Sequence, residues 1–210
     1  MNRLRHIAIC GNIGSGKTTL AAKLAKHYGW TALLESVDDN PYLRDFYGDM
    51  TRWAFHVQIY FLNSRFKQVN EIRSSNEVTV QDRTIYEDAY IFAANLYKSG
   101  HIHERDYHSY LDIFNSMINF VQPPDLLIYL RADIPKLVQQ IQKRGRDYED
   151  AIRLDYLKNL NTHHENWIGS YKLGKLLIID VNHLDFVERV DDFAYIVNKI
   201  DLELNNLFNF

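Results

Sequence analysis

The chain has 210 residues, 46% of them hydrophobic, with 24 Lys and Arg against 27 Asp and Glu. This length and composition predict one compact domain over 1–210 with a sizeable core, and the net charge of −3 argues against the broad positive field that a nucleic acid polymer needs. Neither a charged-then-apolar leader nor a run as long as a membrane span stands in the sequence, so a cytoplasmic protein with no membrane partner is expected, and the single cysteine, Cys10, permits no disulfide within the chain.

The first apolar run, 7–10, leads directly into Gly11, Asn12, Ile13, Gly14, Ser15, Gly16, Lys17 and Thr18, with Thr19 and the helical pattern of Leu20 to Leu24 behind them. A strand before and a helix after are the setting a phosphate-binding loop requires. Its glycines let backbone N–H groups turn toward a β-phosphate, the lysine reaches β/γ oxygens, and the threonine offers a hydroxyl to Mg²⁺. A triphosphate site on the side of the donor is the expectation.

The second strand-like run, 31–34, ends at Glu35. In parallel sheets ligands sit beyond the C-terminal strand ends, so this carboxylate is placed to bind metal, position a water or accept a proton. The stretch 52–72 carries Phe55, Ile59, Leu62, Phe66 and Val69 at spacings of three and four, which predicts a long amphipathic helix. The third run, 78–80, is followed by Asp82 and Arg83, an acid on the metal side and a cation for a transferring phosphoryl group; an internal Asp-Arg ion pair is the other reading. The stretch 107–120 places Tyr110, Leu111, Phe114 and Ile118 on one side of a second helix. Together the two helices carry more aromatic surface than one core face needs, so a helix-mediated homodimer is expected, with burial inside the monomer as the alternative.

The fourth run, 126–130, gives way to Asp133 and Pro135, which mark a capped helix start. That helix runs into Lys143, Arg144, Gly145 and Arg146, a sharply basic cluster suited to γ-phosphoryl charge or to a solvated helix face. The fifth run is 176–179. Five strands separated by helices predict an α/β fold, a five-stranded parallel sheet with helices on both faces.

Taken in order, G-N-I-G-S-G-K-T-T (11–19), Glu35, R-W-A-F-H-V-Q (52–58) leading to Arg65, D-R-T-I-Y-E-D-A-Y-I-F (82–92), R-G-R-D-Y-E (144–149), H-E-N-W (164–167) and D-V-N (180–182) resemble the deoxyribonucleoside kinase family over nearly the whole chain. The resemblance implies a P-loop kinase fold with an arginine-containing lid over about 140–150, ATP and a deoxynucleoside as substrates, and Mg²⁺ as cofactor. By that resemblance Glu35 is the base for the 5′-hydroxyl, Arg83 holds the reacting groups, Lys17 serves the phosphates, and Asp82 with Thr18 serves the metal. Tyr47 and Glu149 match the grip on the sugar 3′-hydroxyl, Gln58 reads the base edge, and Val57 and Phe92 flank the base. Arg144 and Arg146 belong to the lid, and Asp185 and Phe186 to the loop beside the donor base. The pair Arg65 and Asp88 points to a base with an exocyclic amino group, since a carboxylate accepts from an amino group and repels a carbonyl; deoxyadenosine or deoxyguanosine is favoured over deoxycytidine, and thymidine is disfavoured. The chain departs from the family pattern at Gln140, Ser36 and Ala89, where arginine, proline and arginine are common, and in a segment 180–186 that is one residue longer.

Two other readings share the phosphate loop. A GTP-dependent switch would use D-F-Y-G (45–48) and N-K-I-D (198–201), but both need to follow strands and neither does in the pattern read above. A nucleoside monophosphate kinase needs extra arginines for the acceptor phosphate, whereas Glu35, Gln58, Tyr47 and Glu149 suit hydroxyls and a base edge.

Overall fold

A computed structural model describes residues 4–35 and 39–208. Ser36 lies outside the described residues.

Five parallel strands, β1 (His6–Cys10), β2 (Thr31–Leu33), β3 (Thr79–Asp82), β4 (Leu126–Arg131) and β5 (Lys175–Asp180), form one sheet in the order β2-β3-β1-β4-β5. The register sets Ile9 beside Asp82 and Cys10 beside Tyr129, so the C-terminal ends of the central strands align at one edge. The chain passes from β1 to β2 and back to β3 on one side of β1, then crosses to β4 and β5 on the other, which opens a crevice at that edge. Alternation along β1 divides the core: Ile7 and Ile9 pack with Leu20 and Leu24 and with Ile196 and Ile200, whereas Ala8 and Cys10 pack with Tyr129 and Ile168. Helices therefore cover both faces. Each such buried side chain contributes about 1.5–3 kcal/mol against exposure.

The helices are α1 (Lys17–Tyr28), α2 (Leu43–Gly48), α3 (Met50–Ser74), α4 (Ile85–Glu87), α5 (Ala94–Lys98), α6 (Glu104–Ile118), α7 (Ile134–Arg144), α8 (Leu154–Gly169) and α9 (Val190–Phe208). A π-helical stretch, Asp88–Ala93, joins α4 to α5 without a break, and a 3₁₀ turn spans Asp147–Ala151. Gly145, at φ 64°, ends α7 in the left-handed conformation. Asp133 stands at the N-cap of α7 but makes no side-chain capping bond, contrary to expectation; its backbone N–H donates to Asn182 Oδ1, and Pro135 supplies the helix-start signal.

Helix α3 also differs from its periodic reading. Its buried stripe is Ala54, Val57, Gln58, Leu62, Arg65, Val69 and Ile72. Phe55, Ile59 and Phe66 are only partly buried and pack against the Tyr110 and Phe114 side of α6. Leu62 and Val69 of the expected stripe are thus buried, Phe55, Ile59 and Phe66 mark the outer seam, and the buried face carries two polar residues that a hydrophobic count passes over. Residues 45–48 lie in α2 and 198–201 in α9, so neither guanine-type motif follows a strand. Among the described residues no helix is long and apolar enough to cross a membrane.

Candidate active site

The loop after β1 turns into α1 at Gly16, φ 92°, which leaves the first N–H groups of the helix unpaired at its positive end. Gly14, at φ 85°, is boxed in: a Cβ there would lie 2.7 Å from the backbone oxygen of Leu137. Gly14→Ala is expected to cost about 2 kcal/mol through the left-handed backbone and this overlap. Thermal denaturation should then show a melting temperature lowered by about 4–8 °C, and no change would mean that the loop yields freely.

A cavity of 340 Å³ opens above the loop, lined by Ile13, Gly14, Gly16, Lys17, Thr18 and Thr19 on one side and by Glu35, Tyr47, Val57, Gln58, Arg83, Asp88, Phe92, Arg144, Arg146 and Glu149 on the other. Gly11, Asn12 and Ser15 complete the loop without lining it. The Asn12 side chain donates to Leu157 O at 3.0 Å and to Asn161 Oδ1 at 3.1 Å, which anchors the loop to α8. Lys17 donates to Asn12 O at 2.9 Å. Burial, reinforced by Arg83, lowers the Lys17 ammonium to about 8, although Asp82, Glu87 and Glu35 pull the other way.

Glu35 stands two residues beyond the end of β2 at Leu33. Its Oε1 accepts from Arg65 Nη2 at 2.6 Å and from Arg83 Nε at 3.1 Å. Burial would raise its carboxyl, but Arg83, Arg65 and Lys17 more than offset this and hold it at about 2. Arg83 itself sits at φ 74°, a left-handed backbone that a long side chain adopts only where its surroundings hold it. Its N–H donates to Ile9 O at 2.9 Å, and its guanidinium lies 4.3 Å from the Phe92 ring centre.

Arg65 is fully buried and outside the cavity wall. Besides Glu35 it faces Asp88, Nε to Oδ2 at 3.7 Å, and Gln68 Oε1 at 3.4 Å. Burial outweighs Arg65 and Arg83 and pushes Asp88 up to about 7. Asp88 Oδ2 and Gln58 Oε1 are buried acceptors without a hydrogen-bond partner, and both residues line the cavity. Unsatisfied acceptors of this kind fit a ligand that donates from amino groups.

Tyr47 stacks on Tyr148 at 5.6 Å, and burial keeps its hydroxyl neutral, well above the ordinary range. Arg144 and Arg146 converge on Glu149, Arg144 through bonds of 2.9 and 2.5 Å. Asp82, at the end of β3, accepts from Thr18 Oγ1 at 2.5 Å, and its Oδ1 is buried without a partner. That orphaned oxygen beside a hydroxyl suits a hard divalent cation. No group of three or more His, Cys, Asp or Glu that could hold a metal exists among the described residues, so such a cation needs phosphate oxygens and water as further ligands.

Asp185 and Phe186 are not on the cavity wall. Asp185 Oδ1 accepts from the backbone of Val187 and Glu188, and the Phe186 ring is buried against Gly16, where an added Cβ would lie 2.7 Å from it. Gln140 and Lys143 also line the cavity, and Leu43, Phe46, Phe61, Tyr148 and Tyr156 complete the wall without having been read from the sequence. Glu87 was missed as well, although Thr84-x-x-Glu87 is a readable capping box, here with both of its bonds formed.

The model of the deoxynucleoside kinase family matches residues 7–205. The chain is 38% identical over 196 residues to a deoxyadenosine/deoxycytidine kinase of Bacillus subtilis (strain 168), covering 92% of this chain and 90% of that protein. It is 44% identical over 186 residues to a deoxyadenosine kinase of Dictyostelium discoideum, covering 87% and 74%. Among solved structures it is similar to deoxyadenosine kinase from M. mycoides with bound dATP, with a TM-score of 0.83, 31% identity and coverage of 93% and 99%.

Proposed function

The chain belongs to the deoxynucleoside kinase family and has its P-loop kinase fold, and we propose that it moves the γ-phosphoryl group of ATP to the 5′-hydroxyl of a deoxynucleoside with an exocyclic amino group, deoxyadenosine or deoxyguanosine ahead of deoxycytidine. The observation that carries the reading is one carboxylate, Glu35, set between Arg65 and Arg83 in the same cavity as Lys17 and the phosphate loop. Two curated relatives, one named for deoxyadenosine and one for deoxyadenosine and deoxycytidine, support a base with an exocyclic amino group.

In this reading Glu35 accepts the 5′-hydroxyl proton. A carboxylate held near 2 is a weak base, so it takes the proton late, as the attacking oxygen becomes acidic in a loose transition state. Arg83 and Lys17 meet the charge that spreads over the γ-phosphoryl oxygens, and Arg144 and Arg146 close over the donor phosphates. Thr18 and Asp82 would hold Mg²⁺, which when bound would neutralise charge on the donor phosphates. Tyr47 and Glu149 take the 3′-hydroxyl, Val57 and Phe92 sandwich the base, and Gln58, Arg65 and Asp88 read its edge. Asp185 and Phe186 shape the donor-base loop from behind Gly16. The chain acts as one domain over 1–210 in the cytoplasm.

Asp88 makes base choice pH-dependent. Ionised, above about 7, it accepts from an amino group; protonated, it donates to a carbonyl. Lowering the pH from 8 to 6 is therefore expected to reduce the preference for deoxyadenosine over thymidine, as a ratio of kcat/KM, by up to about a hundredfold, and Asp88→Asn should flatten that dependence. A ratio that does not move with pH would take Asp88 out of base selection.

The seam between α3 and α6 supports a homodimer. Phe55, Ile59, Leu62, Ile113 and Met117 line a groove there of 430 Å³, and Ile113 is exposed. Light scattering should give twice the chain mass, and Ile113→Lys should shift it toward the monomer.

The experiment for the reaction compares deoxyadenosine with its 5′-monophosphate as acceptor in the presence of ATP. Transfer to the nucleoside is expected. Transfer to the monophosphate alone would overturn the acceptor assignment.

A further inference from the structure

Glu87 has no part in the reaction as described, yet it is among the most enclosed charged groups near the cavity, with no exposed surface. Its Oε2 closes the capping box, accepting from Thr84 N at 2.8 Å. Its Oε1 points the other way. It accepts from Gly11 N at 3.2 Å, the first residue of the phosphate loop, and lies 3.7 Å from Arg83 Nη1 and 3.6 Å from His164 Nε2.

His164 of α8 is fixed from its other side. Its Nδ1 stands 2.8 Å from Leu160 O, and since a carbonyl only accepts, Nδ1 carries a hydrogen. Its Nε2 then faces the Glu87 carboxylate at 3.6 Å without a hydrogen-bond partner, and burial lowers the imidazole below its ordinary range. The same imidazole sits edge-on to Phe92, 6.2 Å between ring centres, and stacks on Tyr129. Burial would raise the Glu87 carboxyl, but His164, Arg83 and Lys17 hold it below its ordinary range.

Arg83 thus faces two carboxylates: Nε donates to Glu35 at 3.1 Å, and Nη1 makes an ion pair with Glu87 at 3.7 Å, longer than a hydrogen bond. We propose that Glu87, steadied by His164, is a positioning residue that ties Arg83 to the first backbone N–H of the phosphate loop and so keeps the donor and acceptor halves of the site in register. The inference rests on the role given to Arg83 above. Glu35 lies on the cavity side of that guanidinium, where a substrate hydroxyl must also fit, whereas Glu87 lies on the sealed side; with the backbone bond to Ile9 O it helps to hold the strained φ of 74° at Arg83.

The test is Glu87→Gln, which keeps an acceptor for the capping box and removes the charge that faces Arg83. It should lower kcat about tenfold or more with KM for ATP and deoxynucleoside changed by less than about threefold, and the melting temperature should stay near that of the unaltered chain. Because Glu87 acts through Arg83, Glu87→Gln combined with Arg83→Met should be no slower than Arg83→Met alone. Should Glu87→Gln prove unstable, Thr84→Ala, which breaks the cap and leaves Oε1 facing Arg83, separates the roles: it should lose stability and keep kcat. A kcat for Glu87→Gln within twofold of the unaltered chain, multiplicative losses in the double variant, or equal kcat losses in Thr84→Ala and Glu87→Gln would each overturn the inference. If Arg83→Met itself left kcat intact, the role of Arg83 would fail instead, which keeps the two failures distinct.

Discussion

Replacing Glu35 by glutamine is expected to lower kcat by about 10²- to 10⁴-fold while deoxynucleoside binding stays close to that of the unaltered chain. The amide keeps an oxygen that can accept from Arg65 and Arg83, the two donors 2.6 and 3.1 Å away, so the geometry of the site has reason to survive. What is lost is the acceptor for the hydroxyl proton and the negative charge between two arginines. Steady-state kinetics with ATP and deoxyadenosine, together with calorimetric binding of the nucleoside, separate the two effects. Turnover within about tenfold of the original would assign the proton to another acceptor.

The second large effect belongs to Arg83. Arg83→Met should lower kcat by about 10³-fold, the order found when a preorganised cation is withdrawn from a developing phosphoryl charge. Arg83→Lys should recover little of it, because an ammonium cannot bond Glu35 and face Glu87 from one rigid plane. The cost in stability is a separate matter: methionine retains the left-handed backbone at this position while leaving Glu87 without its cation, so a lower melting temperature accompanies the lost turnover. A kcat loss of less than about tenfold in Arg83→Met would contradict its placement at the transferring group.

The features legible in the sequence are those with local causes. The phosphate loop, the five strands and the C-terminal glycine of α7 all follow from residue type and short spacing, and each is where that pattern put it. Glu35 was legible because a carboxylate at a strand end is exceptional beside a phosphate loop. Helix α3 is present and buries Leu62 and Val69 of its expected stripe, but Gln58 and Arg65 also lie on the buried side, and hydrophobic periodicity counts such residues as solvent-facing. Arg65 is tolerated there only because Glu35, Asp88 and Gln68, from three other places in the chain or turn, surround its guanidinium. That balance is tertiary, as is the backbone strain at Arg83 and the packing of Phe186 against Gly16. Glu87 shows the opposite case: its capping box is local and readable, but the second use of its carboxylate depends on Gly11 and His164 arriving from distant segments.

The most direct measurement is phosphate transfer from ATP to the four deoxynucleosides under one set of conditions at pH 8, read as kcat/KM. Deoxyadenosine and deoxyguanosine should lead, deoxycytidine should follow, and thymidine should be last, because Asp88 and Gln58, both on the cavity wall, hold buried acceptors that an amino group would satisfy and a carbonyl would not. Thymidine as the preferred acceptor would contradict the account.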